Sequence, residues 1–69
     1  MKKWIGTDRC NICGIDLHSV KWFSDARMLS GRWALMCDSC HQSNALYTSK
    51  FGTGIGQKYD GETFEKVAG

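Results

Sequence analysis

The sequence predicts a small α+β domain that is held together by more than its hydrophobic core, and three observations lead to this fold class. The chain has 69 residues, a length at which hydrophobic burial alone gives marginal stability. Its four cysteines form two C-x-x-C pairs with identical spacing. A predicted β-hairpin leads into the second pair, and a helix-compatible segment follows it.

Composition favours a single globular domain over residues 1–69. Apolar residues make up 42% of the chain and aromatic residues 12%, and proline is absent. No stretch reaches the ~20 apolar residues that a membrane helix needs. Lys2 and Lys3 are not followed by an apolar run, so we expect no secretory signal. A cytoplasmic location is therefore expected, and disulfides rarely persist there.

The first predicted element is a tight turn, or knuckle, at Cys10–Cys13. Gly14 follows the second thiol, and a glycine there lets the backbone turn so that its amides point at sulfur. Residues 8–47 are predicted to form the core around the two cysteine pairs.

A β-hairpin is predicted from Val20 to Cys37, with Ser30-Gly31 as a two-residue turn. That turn pairs Met28 with Trp33, Ala26 with Leu35 and Ser24 with Cys37. Alternation places Trp33, Leu35 and Cys37 on one face, which would carry an apolar surface to the second cysteine pair. We expect Trp33 to lie in the core.

The segment from Asp38 to Tyr47 predicts a helix of two or three turns. Asp38 or Ser39 is a suitable N-cap residue, and Phe51-Gly52 would end the helix.

The remaining segment, 48–69, predicts a glycine-rich loop and a C-terminal β-hairpin. The segment Gly52–Gln57 does not match a nucleotide-binding G-x-G-x-x-G motif, so we interpret it as a loop that needs glycine conformations or close packing. A second interpretation is that this loop is an exposed binding surface. Asp60-Gly61 is typical of a two-residue hairpin turn, and Phe64 is expected in the core.

The stretch Cys37-Asp38-Ser39-Cys40-His41 is compatible with three chemistries. C-x-x-C-H is the attachment sequence of a c-type haem, and C-x-x-C can be a thiol redox pair. Both alternatives leave the pair Cys10 and Cys13 without a role, and the chain is short for a haem pocket or a parallel sheet.

A structural zinc ion uses all four thiols. Zinc prefers four ligands in a tetrahedron, and zinc binding also supplies the stability that a short chain lacks. We therefore predict one zinc ion bound by Cys10, Cys13, Cys37 and Cys40. His18 and His41 are not expected to be ligands. A closed four-thiolate site has no position for a catalytic water, and no convincing catalytic set occurs elsewhere, so we do not expect an enzyme.

The order of knuckle, hairpin, C-x-x-C and short helix over about residues 8–47 resembles the treble-clef zinc finger. The all-β zinc ribbon is the alternative architecture. The stretch Trp33-Ala34-Leu35-Met36-Cys37-Asp38-Ser39-Cys40-His41 and the tail Gly52-Thr53-Gly54-Ile55-Gly56-Gln57-Lys58-Tyr59 are similar to short zinc-finger proteins of bacteriophages. That resemblance implies an accessory protein acting on a host factor in the host cytoplasm. A looser similarity is to the zinc finger of small bacterial regulators of RNA polymerase.

Two functions remain open at the level of sequence. The formal charge is +2 with neutral thiols, and four thiolates with one Zn²⁺ bring it close to zero. Near-neutral charge and abundant aromatic residues favour a protein partner, with exposed Tyr and Trp as anchors. The alternative is nucleic acid, contacted by a cluster of Arg9, Lys21, Arg27 and Arg32 beside aromatic residues. Thiol redox activity is a third hypothesis.

Overall fold

A computed structural model describes residues 8–69, which form a four-stranded antiparallel sheet. The sheet order is β2-β1-β3-β4. In chain order the elements are a 3-10 helix at Leu17–Ser19, β1 at Trp22–Arg27, β2 at Trp33–Cys37, α1 at Asp38–Asn44, β3 at Gly56–Asp60 and β4 at Lys66–Ala68. The predicted α+β class is confirmed at this level. Lys2 and Lys3 lie outside the described residues.

Two hydrophobic clusters lie on opposite faces of the sheet, because neighbouring strand residues point to opposite sides. On one face Phe23 and Leu35 pack with Leu17 and with the buried thiols Cys10 and Cys37. The other face carries a second cluster of buried residues: Ala26, Ala34, Met36 and Ala45. Cys40 packs against both clusters and so lies where the helix meets the sheet end.

The predicted β1–β2 hairpin is present, but the predicted register is wrong by one residue. The observed pairs include Phe23 with Cys37 and Arg27 with Trp33. A longer loop replaces the expected two-residue turn: the Met28 amide bonds the Arg32 carbonyl, and the Gly31 amide bonds the Met28 carbonyl. Gly31 has φ +90°, a backbone conformation that glycine adopts readily.

The expectation that Trp33 is a core residue is wrong. Its relative exposure is 42%, because it begins β2 and pairs with the exposed Arg27 next to the hairpin loop. Phe64, the other residue expected in the core, is half-buried and packs against the Phe23 cluster.

The predicted helix forms, but both of its predicted ends are displaced. Cys37 is the N-cap residue and makes no side-chain capping bond, while the Asp38 carboxylate accepts from the Ser39 amide. The helix stops at Asn44, since Ala45 is extended and forms a bridge with Met28. Tertiary pairing therefore ends the helix before Phe51-Gly52.

The C-terminal hairpin also forms, with a longer connection than Asp60-Gly61 alone. The Asp60 carboxylate accepts from the amides of Glu62 and Thr63, and the Asp60 amide bonds the Glu65 carbonyl. Strand β3 pairs with β1, so the C-terminal segment completes the same sheet as the cysteine-bearing hairpin.

Two glycines of the C-terminal segment are required by close packing. A Cβ at Gly56 would lie 2.5 Å from the Ala26 Cβ, and one at Gly61 would lie 1.9 Å from the Val20 carbonyl oxygen. Real side chains do not tolerate such approaches. For Gly56 this agrees with the packing interpretation of the Gly52–Gln57 loop.

Candidate metal centre

The knuckle places the first cysteine pair. The Ile12 amide donates to the Cys10 sulfur at 3.3 Å, and the Gly14 amide donates to the Cys10 carbonyl at 3.0 Å. Gly14 has φ +77°, which a residue with a Cβ adopts only at a cost. The predicted turn and the role of Gly14 are therefore present in the structure.

Asn11 attaches this knuckle to β2. Its amide donates to the Leu35 carbonyl at 2.8 Å, and its side-chain oxygen accepts from the Leu35 amide at 2.8 Å. These two bonds pair the backbone amide and carbonyl of Leu35 on the outer edge of β2, two residues before Cys37. Sequence reasoning missed Asn11, because its partner is distant along the chain and no local motif indicates the contact.

The four predicted ligands, Cys10, Cys13, Cys37 and Cys40, come together in one cluster. Their sulfurs all lie within 4.8 Å of one another, and the sulfurs of Cys13 and Cys37 are 3.7 Å apart. A tetrahedral ion with metal–sulfur bonds of about 2.3 Å requires sulfur–sulfur separations of about 3.8 Å. The spacing therefore fits a four-thiolate metal site, and no disulfide links these thiols.

Cys40 lies within α1, so the second pair combines a strand end with a helix. A zinc ribbon places both pairs on β-knuckles, and this arrangement does not match it. All four cysteines lie on the knuckle, at the end of β2 or in the first turn of α1.

The cysteines differ in exposure and in their ease of ionisation. Cys10 and Cys37 are buried, Cys40 is half-buried and Cys13 is exposed. Burial opposes ionisation of Cys10, but backbone hydrogen bonds at Cys13, Cys37 and Ile12 outweigh it and lower its pKa to about 6. Burial raises the pKa of both Cys37 and Cys40. The Cys10 thiolate thus forms readily, and a cation is needed to hold Cys37 and Cys40 ionised beside it.

Neither histidine belongs to the group of four cysteines. His41 is fully buried beneath the sheet, where its Nδ1 lies 2.6 Å from the Ser24 hydroxyl. Its ring stacks on Phe51 at 5.2 Å and meets the Trp22 ring edge-on. Burial lowers the pKa of His41, although the nearby backbone of Thr48 and Tyr47 favours its protonation. His41 is therefore a buried residue of α1 and not a surface residue of the helix.

His18 lies in a different group. Together with Asp8 and Asp16 it forms an exposed set whose potential ligand atoms lie within 4.8 Å of one another. One Asp16 carboxylate oxygen accepts from the His18 amide, and the His18 ring stacks on Phe64 at 4.2 Å. Exposed groups of this kind are ordinary surface features.

The four basic residues expected to cluster do not form one patch. Lys21 precedes β1 and Arg27 ends it, so the two lie at opposite ends of that strand. Arg9 lies at the knuckle, where its guanidinium donates to the Gly14 carbonyl at 3.2 Å. Only Arg27 and Arg32 share one end of the hairpin.

Comparisons with protein-family models, with curated proteins and with solved structures find no match. The resemblance to bacteriophage zinc-finger proteins is therefore not supported by any matching sequence or structure. Among the described residues no helix has the length and apolar character needed to span a membrane.

Proposed function

We propose that this chain is a non-catalytic zinc-binding interaction module of the treble-clef type that docks on a protein partner. The observation that carries the proposal is the cluster of four sulfurs at tetrahedral spacing. Support for the treble clef comes from the order of elements: knuckle, hairpin, and a helix that contains the last cysteine.

Zinc is the proposed metal, and its role is structural. Tetrahedral four-thiolate sites take zinc or iron, and zinc needs no redox partner. With four protein ligands there is no coordination position for substrate or water, which supports a role outside catalysis. Zinc-loaded chain should give one zinc per chain in native mass spectrometry, and a chelator should abolish the folded circular-dichroism spectrum. A folded, metal-free chain or an iron-loaded chain contradicts this proposal.

The proposed docking surface is the loop end of the β1–β2 hairpin, defined by Leu29, Trp33 and Leu46. Their relative exposures are 68%, 42% and 42%. The Leu29 amide bonds the Asn44 carbonyl and the Leu46 amide bonds the Arg27 carbonyl, so both leucines lie at this end. Exposed Trp beside Arg is frequent among residues that dominate binding energy.

A matched capture experiment tests docking through the hairpin end. The zinc-loaded chain, carrying an affinity tag, is compared with a double variant, Leu29→Ser with Trp33→Ala. Val67→Ala is the control, because the exposure of Val67, 57%, lies between those of Leu29 and Trp33, but Val67 belongs to edge strand β4. A protein retained by wild type and by Val67→Ala but lost by the double variant supports docking. Identical captured sets for all three chains contradict it.

Nucleic acid is the second candidate, favoured by one observation. The Arg27 guanidinium lies 5.8 Å from the Trp33 ring centroid. Arg32 directly precedes Trp33 in the sequence, and no acidic residue occurs between Arg27 and Trp33. An exposed ring beside two cations can stack on an unpaired base and contact phosphate. Absence of binding to single-stranded DNA and RNA at ~50 mM salt excludes this candidate, since phosphate contacts are strongest at low salt.

A further inference from the structure

We propose that Cys13 is a site of oxidative modification, and that peroxide converts Cys13 and Cys37 into a disulfide that dismantles the metal centre. This inference rests on the proposed zinc site. It concerns how that site is regulated rather than what the module binds.

The exposure of the cysteines determines which sulfur meets an oxidant first. Cys13 is exposed, whereas Cys10 and Cys37 are 4% and 2% exposed and Cys40 is half-buried. Oxidation of a thiolate by peroxide depends on both thiolate character and access. Metal binding keeps all four sulfurs as thiolates, so access distinguishes Cys13 from the other three.

The position of Cys37 identifies the thiolate that reacts next. Its sulfur lies 3.7 Å from the Cys13 sulfur. All four sulfurs lie within 4.8 Å of one another, so the partner is selected by the hydrogen bonds that hold the backbone and not by distance alone. The two Asn11–Leu35 hydrogen bonds fasten the knuckle to β2 and do not involve the metal. They therefore keep Cys13 beside the end of β2 while the sulfurs close to the ~2.05 Å of a disulfide bond.

The reaction balances with hydrogen peroxide as the oxidant. The Cys13 thiolate attacks one peroxide oxygen, the O–O bond breaks, hydroxide leaves, and Cys13 becomes a sulfenic acid. The Cys37 thiolate then attacks the Cys13 sulfur, an S–S bond forms, the S–O bond breaks and a second hydroxide leaves. Two thiolates have lost two electrons, and peroxide has gained them. Only Cys10 and Cys40 remain as thiolate ligands, which is too few to retain a structural zinc ion.

Disulfide mapping after peroxide treatment tests the inference. Zinc-loaded chain is treated with hydrogen peroxide in the presence of a zinc-sensitive dye, quenched by acid and alkylation, and digested. We expect one zinc released per oxidised chain and a Cys13–Cys37 crosslink, both reversed by dithiothreitol with added zinc. A dominant Cys10–Cys13 or Cys37–Cys40 disulfide, or zinc loss without any disulfide, overturns the inference.

Two histidine variants separate the exposed thiol from a buried one. Cys13→His and Cys10→His each leave three cysteines and a histidine, a ligand set that zinc accepts. We expect Cys13→His to slow peroxide-induced zinc release about tenfold or more, because the accessible thiolate is gone. Cys10→His should release zinc at nearly the wild-type rate and still form the Cys13–Cys37 disulfide. Equal protection by both variants overturns the inference.

The metal site and its oxidation fail in distinguishable ways. An untreated wild-type chain that binds no zinc overturns the metal site and this inference together. A chain that binds one zinc but forms another disulfide overturns the inference alone. The wild-type mapping decides the question even where a histidine variant fails to bind metal.

Discussion

The hydroxyl of Ser24 lies 2.6 Å from Nδ1 of His41, and both side chains are completely buried. Ser24 belongs to β1 and His41 to α1, so this hydrogen bond joins the helix that carries Cys40 to the centre of the sheet. His41 Nε2 makes no hydrogen bond of standard geometry in the described part of the chain. The imidazole is thus a packing element next to the metal centre.

Replacing His41 by Ala should destabilise the domain and leave the metal bound. The change removes a buried ring that contacts Trp22 and Phe51 and leaves the Ser24 hydroxyl unpaired. Together these effects should lower the free energy of unfolding by about 2–4 kcal/mol. Denaturant unfolding of the zinc-loaded chain measures the loss, and native mass spectrometry should still find one zinc.

Ser24→Ala is the matched variant for this hydrogen bond, because it keeps the ring and removes only its partner. We expect a smaller loss of about 1–3 kcal/mol. Loss of zinc from His41→Ala but not from Ser24→Ala would indicate that the imidazole is a ligand, contrary to the arrangement of the four sulfurs.

The sequence predicted those parts of the fold that depend on local patterns or on metal chemistry. Two C-x-x-C pairs identify the four thiols, since one tetrahedral ion requires four ligands. The turn signal within the segment from Val20 to Cys37 identifies the hairpin that leads to Cys37. The pairing of Ser24 with His41 and of Asn11 with Leu35 could not be predicted, because each joins residues that are distant in sequence and have no local signal.

The prediction for Trp33 failed for a related reason. Side chains alternate between the two faces of a strand, which correctly places Trp33 on the same face as Leu35 and Cys37. Whether that face is covered depends on how far the other elements extend along it. The Leu17 and Phe64 side chains cover the part near Cys37, and the part near the hairpin loop stays open. The same limit applies to the predicted register of β1 and β2. The loop is longer than two residues, and the observed strand pairing differs from the predicted pairing by one residue.

Removal of a buried thiol should unfold the protein. Cys37→Ser replaces a ligand that is also packed in the Phe23 cluster, and a hydroxyl is a poor zinc ligand at neutral pH. We expect loss of stoichiometric zinc and of the folded spectrum, because structural zinc contributes on the order of 10 kcal/mol to folding in such domains. Ser39→Ala, on the exposed side of α1, is the control and should retain both.

Gly61→Ala should be strongly destabilising. A Cβ at this position would lie 1.9 Å from the Val20 carbonyl oxygen, and the Gly61 amide also bonds the Lys21 carbonyl. The chain before β1 and the chain after β3 would have to separate, at a cost of about 3 kcal/mol. Thermal unfolding of the zinc-loaded chain measures this, with the exposed neighbour change Glu62→Ala as control. Equal stability of the two variants would show that Gly61 lies farther from the Val20 backbone than in the structure.

The phenol of Tyr59 should ionise only at unusually high pH. Burial raises its pKa, and the Asp25 carboxylate raises it further. Asp25 and Tyr59 lie on neighbouring strands, since Phe23 pairs with Tyr59 and Asp25 with Gln57. An anionic phenolate beside this carboxylate is therefore disfavoured in the folded state.

Ultraviolet titration of the folded, zinc-loaded Tyr47→Phe variant isolates Tyr59, because the chain has two tyrosines. The phenol should titrate above the ordinary value of about 10. Adding Asp25→Asn should lower that pKa, whereas adding Glu62→Gln should not. Since the unfolded chain ionises first, stability should fall as pH rises through about 10. A phenol that titrates at its ordinary value while circular dichroism still reports the folded state would contradict this prediction.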